Sequence, residues 1–425
     1  MYPTPGFAEA FKLWGKIGLL SFGGPAGQIA LLHKEVVEQR NWIGEKEFLN
    51  AMNFCMLLPG PEAQQLATYC GWKLHGTRGG LAAGLLFVLP GALVILALSL
   101  LYASFGTLPL MQALFWGIKA AVVAIVLEAL VKIAKKALKT KFDWVIAAFA
   151  FAALFIFALP FAVVVAVAAF LGFFLAPATT SEAAAVERPS LSATFKTIAV
   201  WLVLWLVPLA FLHAVLGKDH VQTELARMFS VLAVVTFGGA YAVLASLGQT
   251  VVEQTAWLTP QQMMDGFGLA ETTPGPLILV GQFVSFTAAS HVQGNQWAGV
   301  AASLNFLWMT FTPCFLWIFA GAPWIEYLQN QSRLKSALAA ITAAATGVIL
   351  NLSLWFALHV VFGKVARQDP PLPIWWPDFS TIDAPALLLC VAMGFVVLRL
   401  KAGIPKTLAL AAALGLSWHF VKPLT

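Results

Sequence analysis

Charged side chains are scarce in this 425-residue chain, where Asp, Glu, Lys and Arg together make up 10% of the residues, against about a quarter in soluble domains. With 60% hydrophobic residues and a mean hydropathy of +0.83, that scarcity excludes a water-soluble fold. Cysteine is rare as well. Cys55, Cys70, Cys314 and Cys390 lie in or beside apolar segments and form no Cys-x-x-Cys pair, so they read as small core residues rather than as a disulfide framework or a zinc site. The chain has no Walker loop, no His-Glu-x-x-His helix and no Gly-x-Ser-x-Gly elbow, so an enzyme is not expected. His33, His213, His291, His359 and His419 have no ligand spacing, and no metal or cofactor is expected. The first ten residues lack a basic segment and a cleavage signature, so the first apolar run is expected to be retained as a helix.

Long apolar runs recur from Phe11 to Val421. A bilayer crossing needs about 20 apolar residues, which allows roughly ten to thirteen crossings. The runs are continuous and rich in Leu, Ala, Val and Phe rather than alternating, so the expected class is an all-α polytopic membrane protein and not a β-barrel. The net charge of +6 reflects loops facing anionic lipid, not nucleic-acid binding. Most of the 16 Trp and 33 Phe belong to interface belts or lipid-facing surfaces, with Trp375 and Trp376 as an interfacial anchor.

Shifting the chain by 215 positions aligns residues 22–61 with 237–276 without a gap and with thirteen identities in forty. Phe22-Gly23-Gly24 meets Phe237-Gly238-Gly239, Val36-Val37-Glu38-Gln39 meets Val251-Val252-Glu253-Gln254, Trp42 meets Trp257, and Pro59-Gly60-Pro61 meets Pro274-Gly275-Pro276. Further on the shift becomes 223, pairing Pro90 with Pro313 and Ile118 with Ile341, as an eight-residue insertion near Ser290 to Trp297 would produce. The chain therefore reads as a duplicated unit: 1–178, a linker at 179–197 within the Ala-, Ser-, Thr- and Pro-rich stretch Ala176 to Lys196, and 198–425. The apolar run Ile198 to Leu216 has no counterpart before Phe11. One added crossing turns a second six-crossing unit upside down, the inverted repeat of many secondary transporters.

The basic run Lys132, Lys135, Lys136, Lys139 and Lys141 should be cytoplasmic. Counting from it places the N-terminus, Arg333 and Lys335, and Arg399, Lys401 and Lys406 on the same side, while the Lys34 to Lys46 and Lys364 to Arg367 segments disagree. Re-entrant Pro-Gly-Pro segments would instead give five crossings per unit and parallel units. Thirteen crossings with inverted units are favoured.

Each unit is interrupted twice. Ser21-Phe22-Gly23-Gly24-Pro25 sits within the run Phe11 to Leu32, and Pro59-Gly60-Pro61 within Phe48 to Tyr69; the second unit repeats both, with Thr273 expected to cap a helix starting at Pro274. In a bilayer such breaks are tolerated where they face protein or a water-filled cavity. A half-helix starting inside the membrane presents free N–H groups and partial positive charge, so four of them near a midplane form a candidate oxyanion site.

Intramembrane charges are functional candidates. Lys16 is the expected countercharge beside the first break, with Arg40 and Arg78 at an entrance, while Lys12 reads as a snorkelling residue. Lys119 and Glu128 interrupt the run Leu110 to Ile133 nine residues apart, too far for a direct helical pair. Glu62 and Glu271 flank the breaks on opposite sides and are the proton-coupling candidates.

These residues resemble the chromate ion transporter family in its long two-unit form. The likeness rests on Phe22-Gly23-Gly24-Pro25, Glu38-Gln39 to Trp42, Leu57-Leu58-Pro59-Gly60-Pro61-Glu62-Ala63, Gly79-Gly80-Leu81 to Leu89-Pro90-Gly91-Ala92, Thr236-Phe237-Gly238-Gly239-Ala240-Tyr241-Ala242 and Glu271-Thr272-Thr273-Pro274-Gly275-Pro276, and covers nearly the whole chain. It implies a secondary transporter of the bacterial inner membrane that exports chromate, driven by the membrane potential or the proton gradient, and so confers chromate resistance. The alternatives are import or exchange of sulfate or another oxyanion, and an anion channel. The oligomeric state stays open, a homodimer included. Within the motifs the second unit departs from the first, with Ala240 for Pro25, Leu277 for Glu62 and Glu271 for Met56.

Overall fold

The computed structural model describes residues 3–22, 24–175, 190–237, 240–325, 331–368 and 373–421. The chain is helical almost throughout, as expected for an all-α membrane protein. In order come α1 (Phe7–Leu20), α2 (Gly24–His33), α3 (Glu45–Cys55), α4 (Glu62–Phe105), α5 (Pro109–Ala137), α6 (Lys141–Phe155), α7 (Phe161–Leu175), α8 (Leu191–Leu216) and α9 (Val221–Val235). Then follow α10 (Ala240–Gly248), α11 (Pro260–Thr272), α12 (Val280–Gln293), α13 (Gln296–Gly321), α14 (Ser332–Val361), α15 (Ala384–Leu398) and α16 (Ile404–Val421). Two three-residue strands, β1 (Val365–Arg367) and β2 (Trp375–Pro377), pair antiparallel with Ala366 opposite Trp376. Among the described residues six helices are long and apolar enough to cross a membrane: α4, α5, α8, α13, α14 and α16.

Local geometry recurs at the offsets read in the sequence. At 215, both α2 and α10 run on into a π-helical turn, Lys34–Glu38 and Gln249–Gln254, where the helix widens. Each turn is followed by a residue at positive φ, Asn41 at 52° and Ala256 at 50°. At 223, Pro90 lies inside α4 and Pro313 inside α13. Where the eight-residue insertion is expected, α4 merely bends, at His75 and Gly76. The second half leaves the helix altogether, with left-handed Gly294 ending α12 and Asn295 capping α13 through the amide of Ala298. Beyond that the offset grows to 243, where Leu159 N–H donates to Ala153 at 2.9 Å and Ala402 N–H to Val396 at 3.2 Å. The growth is the β-hairpin segment, which separates α14 from α15 where three residues separate α5 from α6.

The compact units do not follow the halves of the sequence. One comprises 1–97, 178–240 and 273–335, the other 98–177, 241–272 and 336–425, so each draws on both halves. Of the expected linker at 179–197, residues 179–189 lie outside the described residues. Ser190 caps α8 through the amide of Ala193, so 191–197 is helix rather than linker. In the first unit α8 buries only Trp205, whose indole donates to Met309 of α13 at 3.1 Å, while Trp201 stacks on Phe315 at 5.7 Å. The extra helix thus rides on the outside of its unit. The core there lies under α1, α3 and α4, with Trp14, Phe48, Phe54 and Phe87 fully buried.

In the second unit α5 packs against α15 and α16. Backbones approach closely there because glycines face each other: a Cβ on Gly117 would stand 2.0 Å from the Ala411 carbonyl, and one on Gly415 2.4 Å from that of Ala113. Small residues at a crossing are how membrane helices gain contact without a hydrophobic driving force. Gly117→Leu or Gly415→Leu is expected to cost about 1–3 kcal/mol through overpacking, read as a lowered melting temperature in detergent. Gly394→Leu, where a Cβ meets nothing within 4 Å, should leave it unchanged.

Candidate functional site

All four expected interruptions are present as breaks between helices: α1 from α2, α3 from α4, α9 from α10, and α11 from α12. Gly23, Gly238 and Gly239 lie outside the described residues. Gly24, Gly60 and Gly275 adopt φ of 71°, 113° and 91°, a region that side chains with a Cβ disfavour. The flanking Pro59, Pro61, Pro274 and Pro276 carry no N–H, so each Pro-Gly-Pro offers a single backbone donor.

That donor is used across the repeat. Gly60 N–H donates to the Thr236 carbonyl at 2.8 Å, and Gly275 N–H to the Ser21 carbonyl at 2.9 Å. Residues 60 and 275 are repeat counterparts, as are 21 and 236, so interchanging the halves turns one bond into the other. This is the relation a pseudo-two-fold axis imposes. The helix ends that supply the acceptors match too: Phe22 N–H folds back to Leu20 at 2.9 Å and Phe237 N–H to Val235 at 3.1 Å. The Ser21 hydroxyl donates to Gly18 at 2.8 Å, and that of Thr236 donates to Leu232. Gly91 of α4 passes close to Pro274, where a Cβ would stand 2.2 Å from the carbonyl, and its counterpart Cys314 of α13 passes Gly60, with Sγ 3.1 Å from the Cβ position there.

Chemistry departs from this symmetry. Beside the first Pro-Gly-Pro, Gln65 Nε2 donates to the Pro59 carbonyl at 2.7 Å and Gln64 Nε2 to Thr68 Oγ1 at 3.1 Å. The carbonyl oxygens of both glutamines and the hydroxyl of Thr310 are buried with no hydrogen-bond partner among the described residues, and Cys314 Sγ beside them donates to the Thr310 carbonyl at 3.3 Å. Buried polar atoms are hydrogen-bonded as a rule, so these three set this break apart from the other. The counterparts of Gln64, Gln65 and Thr68 are Leu279, Val280 and Phe283, so the second half offers no such group there. Gln28, buried in α2, joins the other break: Nε2 lies 3.2 Å from the Ser21 carbonyl and 2.7 Å from that of Gly275.

The structure refines the expected donors. The amides of Gly60 and Gly275 are spent on carbonyls, so neither is the free donor that a break was expected to present. Thr273 is not an N-cap, because α11 ends at Thr272 and a 3₁₀ turn at Leu277–Leu279 precedes α12. Glu62 does begin α4, and is half-buried. Glu271, at the end of α11 in the second unit, is buried and accepts from the Tyr241 hydroxyl at 2.9 Å. Phe22 is exposed and Arg78 is exposed beyond the α4 bend, whereas Lys16 and Arg40 come together.

What joins them is Glu35, buried in the π-turn after α2: Lys16 Nζ lies 2.8 Å from Oε1 and Arg40 Nη1 2.5 Å from Oε2. Two cations on one carboxylate leave a net charge of +1. Burial works to raise the Glu35 pKa, but the hydrogen bonds and charges of Lys16 and Arg40 outweigh it and hold the carboxyl below its usual 4.5. In the sequence the Lys34 to Lys46 segment stood out only as one that disagrees with the charge count, and Glu35 was not among the candidates. The signal in it was a carboxylate one π-turn from Arg40 and followed by Val36-Val37. Lys119 likewise has its partner: Asp265 Oδ1 lies 3.2 Å away, a carboxylate isolated in the apolar stretch Met263-Met264-Asp265-Gly266-Phe267.

Because its pKa is lowered in the folded chain, Glu35 contributes stability that is fully present above pH 4.5 and is lost as pH falls through the folded value. Glu35→Gln is expected to lower stability by about 1–2 kcal/mol near pH 7, solvent at half-exposed Lys16 limiting the loss, and to flatten the acid limb of the melting-temperature profile. A profile that keeps the wild-type acid limb contradicts the assignment.

Comparison with known proteins places these features in a family. The family model described as chromate transporter matches residues 8–173 and 223–416, so both halves are covered. The chain is 31% identical over 356 residues to the chromate transport protein of Pseudomonas aeruginosa, covering 82% of this chain and 80% of that one. It is 28% identical over 426 residues to the chromate transport protein of Cupriavidus metallidurans, covering 97% and 94%. To the probable chromate transport protein of Synechococcus elongatus it is 27% identical over 388 residues, covering 87% and 88%. No solved structure matches it. A membrane chain duplicated along its length, with paired helix breaks and a match to the model in each half, belongs to the chromate transporter family.

Proposed function

We propose that this protein is a secondary active transporter that exports chromate, a tetrahedral oxyanion, from the cytoplasm across the bacterial inner membrane at the expense of the proton gradient, and so confers chromate resistance. The observation that carries the reading is the reciprocal pair of bonds from Gly60 to Thr236 and from Gly275 to Ser21, which gathers all four helix breaks into one compact unit. In this reading the halves are inverted repeats and the broken helices serve as composite spans, giving thirteen crossings. The two segments that go against the charge count hold their arginines in internal pairs, Arg40 with Glu35 and Arg367 with Glu253, which removes them from the loop charge.

The proposed anion site comprises Phe22 to Pro25, Pro59 to Pro61, Phe237 to Gly239 and Pro274 to Pro276. First-turn amides supply directional donors, and the Lys16, Arg40 and Glu35 cluster supplies net positive charge; Arg78 belongs to the approach. The glycines let backbone rather than side chains face the ion. Glu62 and Glu271 are the carboxylates at the breaks that can exchange a proton as the dianion leaves.

Everted membrane vesicles given a proton gradient should accumulate labelled chromate, and Gly60→Ala or Gly275→Ala should reduce the rate at least about tenfold, equivalent to some 1.4 kcal/mol, at unchanged protein level. Glu271→Gln should keep chromate binding and lose the pH dependence of transport. Unimpaired transport in both glycine variants contradicts the site. Accumulation of sulfate in preference to chromate replaces the substrate, and flux indifferent to the proton gradient replaces the transporter with a channel.

A further inference from the structure

The second compact unit contains a cavity of about 820 Å³ walled in part by Gln112, Trp116, Lys119, His359, Asp383 and His419. Lys119 is also one half of an ion pair. Its Nζ lies 3.2 Å from Asp265 Oδ1, while the Tyr102 hydroxyl donates to Oδ2 at 2.8 Å. Asp265 is buried and is not part of the cavity wall, and among the described residues no hydrogen bond of good geometry reaches its Oδ1. The cation therefore faces the cavity, and the carboxylate that neutralises it is enclosed, with Lys119 at its Oδ1 and Tyr102 at its Oδ2.

We propose that the Lys119–Asp265 pair is a second ion site, at which a small inorganic oxyanion and a proton bind together. The oxyanion class rests on the transport reading above; the coupling rests on this geometry. An anion entering the cavity meets the Lys119 ammonium and, to bind, draws it from Asp265. The carboxylate then has no cation in a water-poor interior, where an unpaired charge is strongly disfavoured. A proton from cavity water settles the balance: it adds to Oδ1, the oxygen without a good donor, and the Tyr102 hydroxyl stays on Oδ2. One proton is gained for the one negative charge that Lys119 releases. The other titratable groups around the pair are Tyr102 on α4, with His359, Asp383 and His419 across the cavity. Asp383 accepts from the Trp116 indole at 3.1 Å, and the His359 ring donates through Nδ1 to the Trp355 carbonyl at 2.9 Å, so both are engaged already.

Repeat counting adds an independent argument. The counterpart of Asp265 is Asn50, and that of Lys119 is Thr342. Both charges occur in one copy only and are absent together from the other, as a pair that acts as one unit requires. A purely structural salt bridge has no need of the cavity that opens on Lys119.

The test titrates sodium sulfate, which does not buffer near neutrality, into purified full-length protein in weakly buffered detergent solution, with a pH-indicating dye. Wild type is expected to take up one proton per chain at saturation, and Asp265→Asn, which keeps an acceptor for Tyr102, to take up none. Lys119→Met with Asp265→Asn, a neutral pair that leaves no buried charge, should also take up none and provides the reading should the single variant fold poorly. No proton uptake by wild type, or equal uptake by wild type and both variants, overturns the proposal. Wild type that takes up this proton yet does not accumulate chromate in everted vesicles removes the chromate reading and leaves the Lys119–Asp265 site standing.

Discussion

Backbone amides and carbonyls inside a bilayer must find partners within the protein, and the proposed composite spans place four helix interruptions under that constraint. The chain meets the constraint by letting each half complete the other. The N–H of Gly60 closes on the carbonyl left at the end of α9, and that of Gly275 on the carbonyl left at the end of α1. The remaining particulars of the first unit accommodate this crossing: positive φ at both glycines, hydroxyls of Ser21 and Thr236 folded back on their own helices, and close passage of Gly91 and Cys314.

Positions related by the 215-residue offset share backbone geometry but differ in side-chain chemistry. Beside one Pro-Gly-Pro stand Gln64, Gln65 and Thr68; the equivalent places in the other half hold Leu279, Val280 and Phe283. The carboxylate at position 35, clamped by two cations, corresponds to Thr250. A transporter that presents one ion to two sides in turn needs two similar halves, but binding and coupling need hold only one set of ligands. The distribution of polar groups fits that division of labour.

The class of fold and the breaks were legible because each leaves a local mark: long apolar runs, and Gly and Pro where a helix should continue. The partners of the charges were not. Lys16 and Arg40 were visible as candidates, but nothing in spacing alone says that Glu35 holds both, since 19 residues and a helix break separate it from Lys16. Lys119 and Asp265 are 146 positions apart and meet only through the packing of α11 on α5. The way in which the halves partition also escaped the sequence. The compact units are set by which helices pack, and each takes its helices from both halves of the sequence. Spent donors were equally hidden: the motif Pro-Gly-Pro announces a break, but not that the single amide it offers is already committed.

The central claim is that the crossed breaks of the first unit hold the transported ion. Anomalous diffraction at the chromium edge, from crystals of the protein grown with chromate, addresses it directly. A chromium peak within hydrogen-bonding reach of the first-turn amides of α2 or α4 is the expected result. Ordered chromium found only away from every break, with the crossed bonds intact and no ion beside them, would contradict the account.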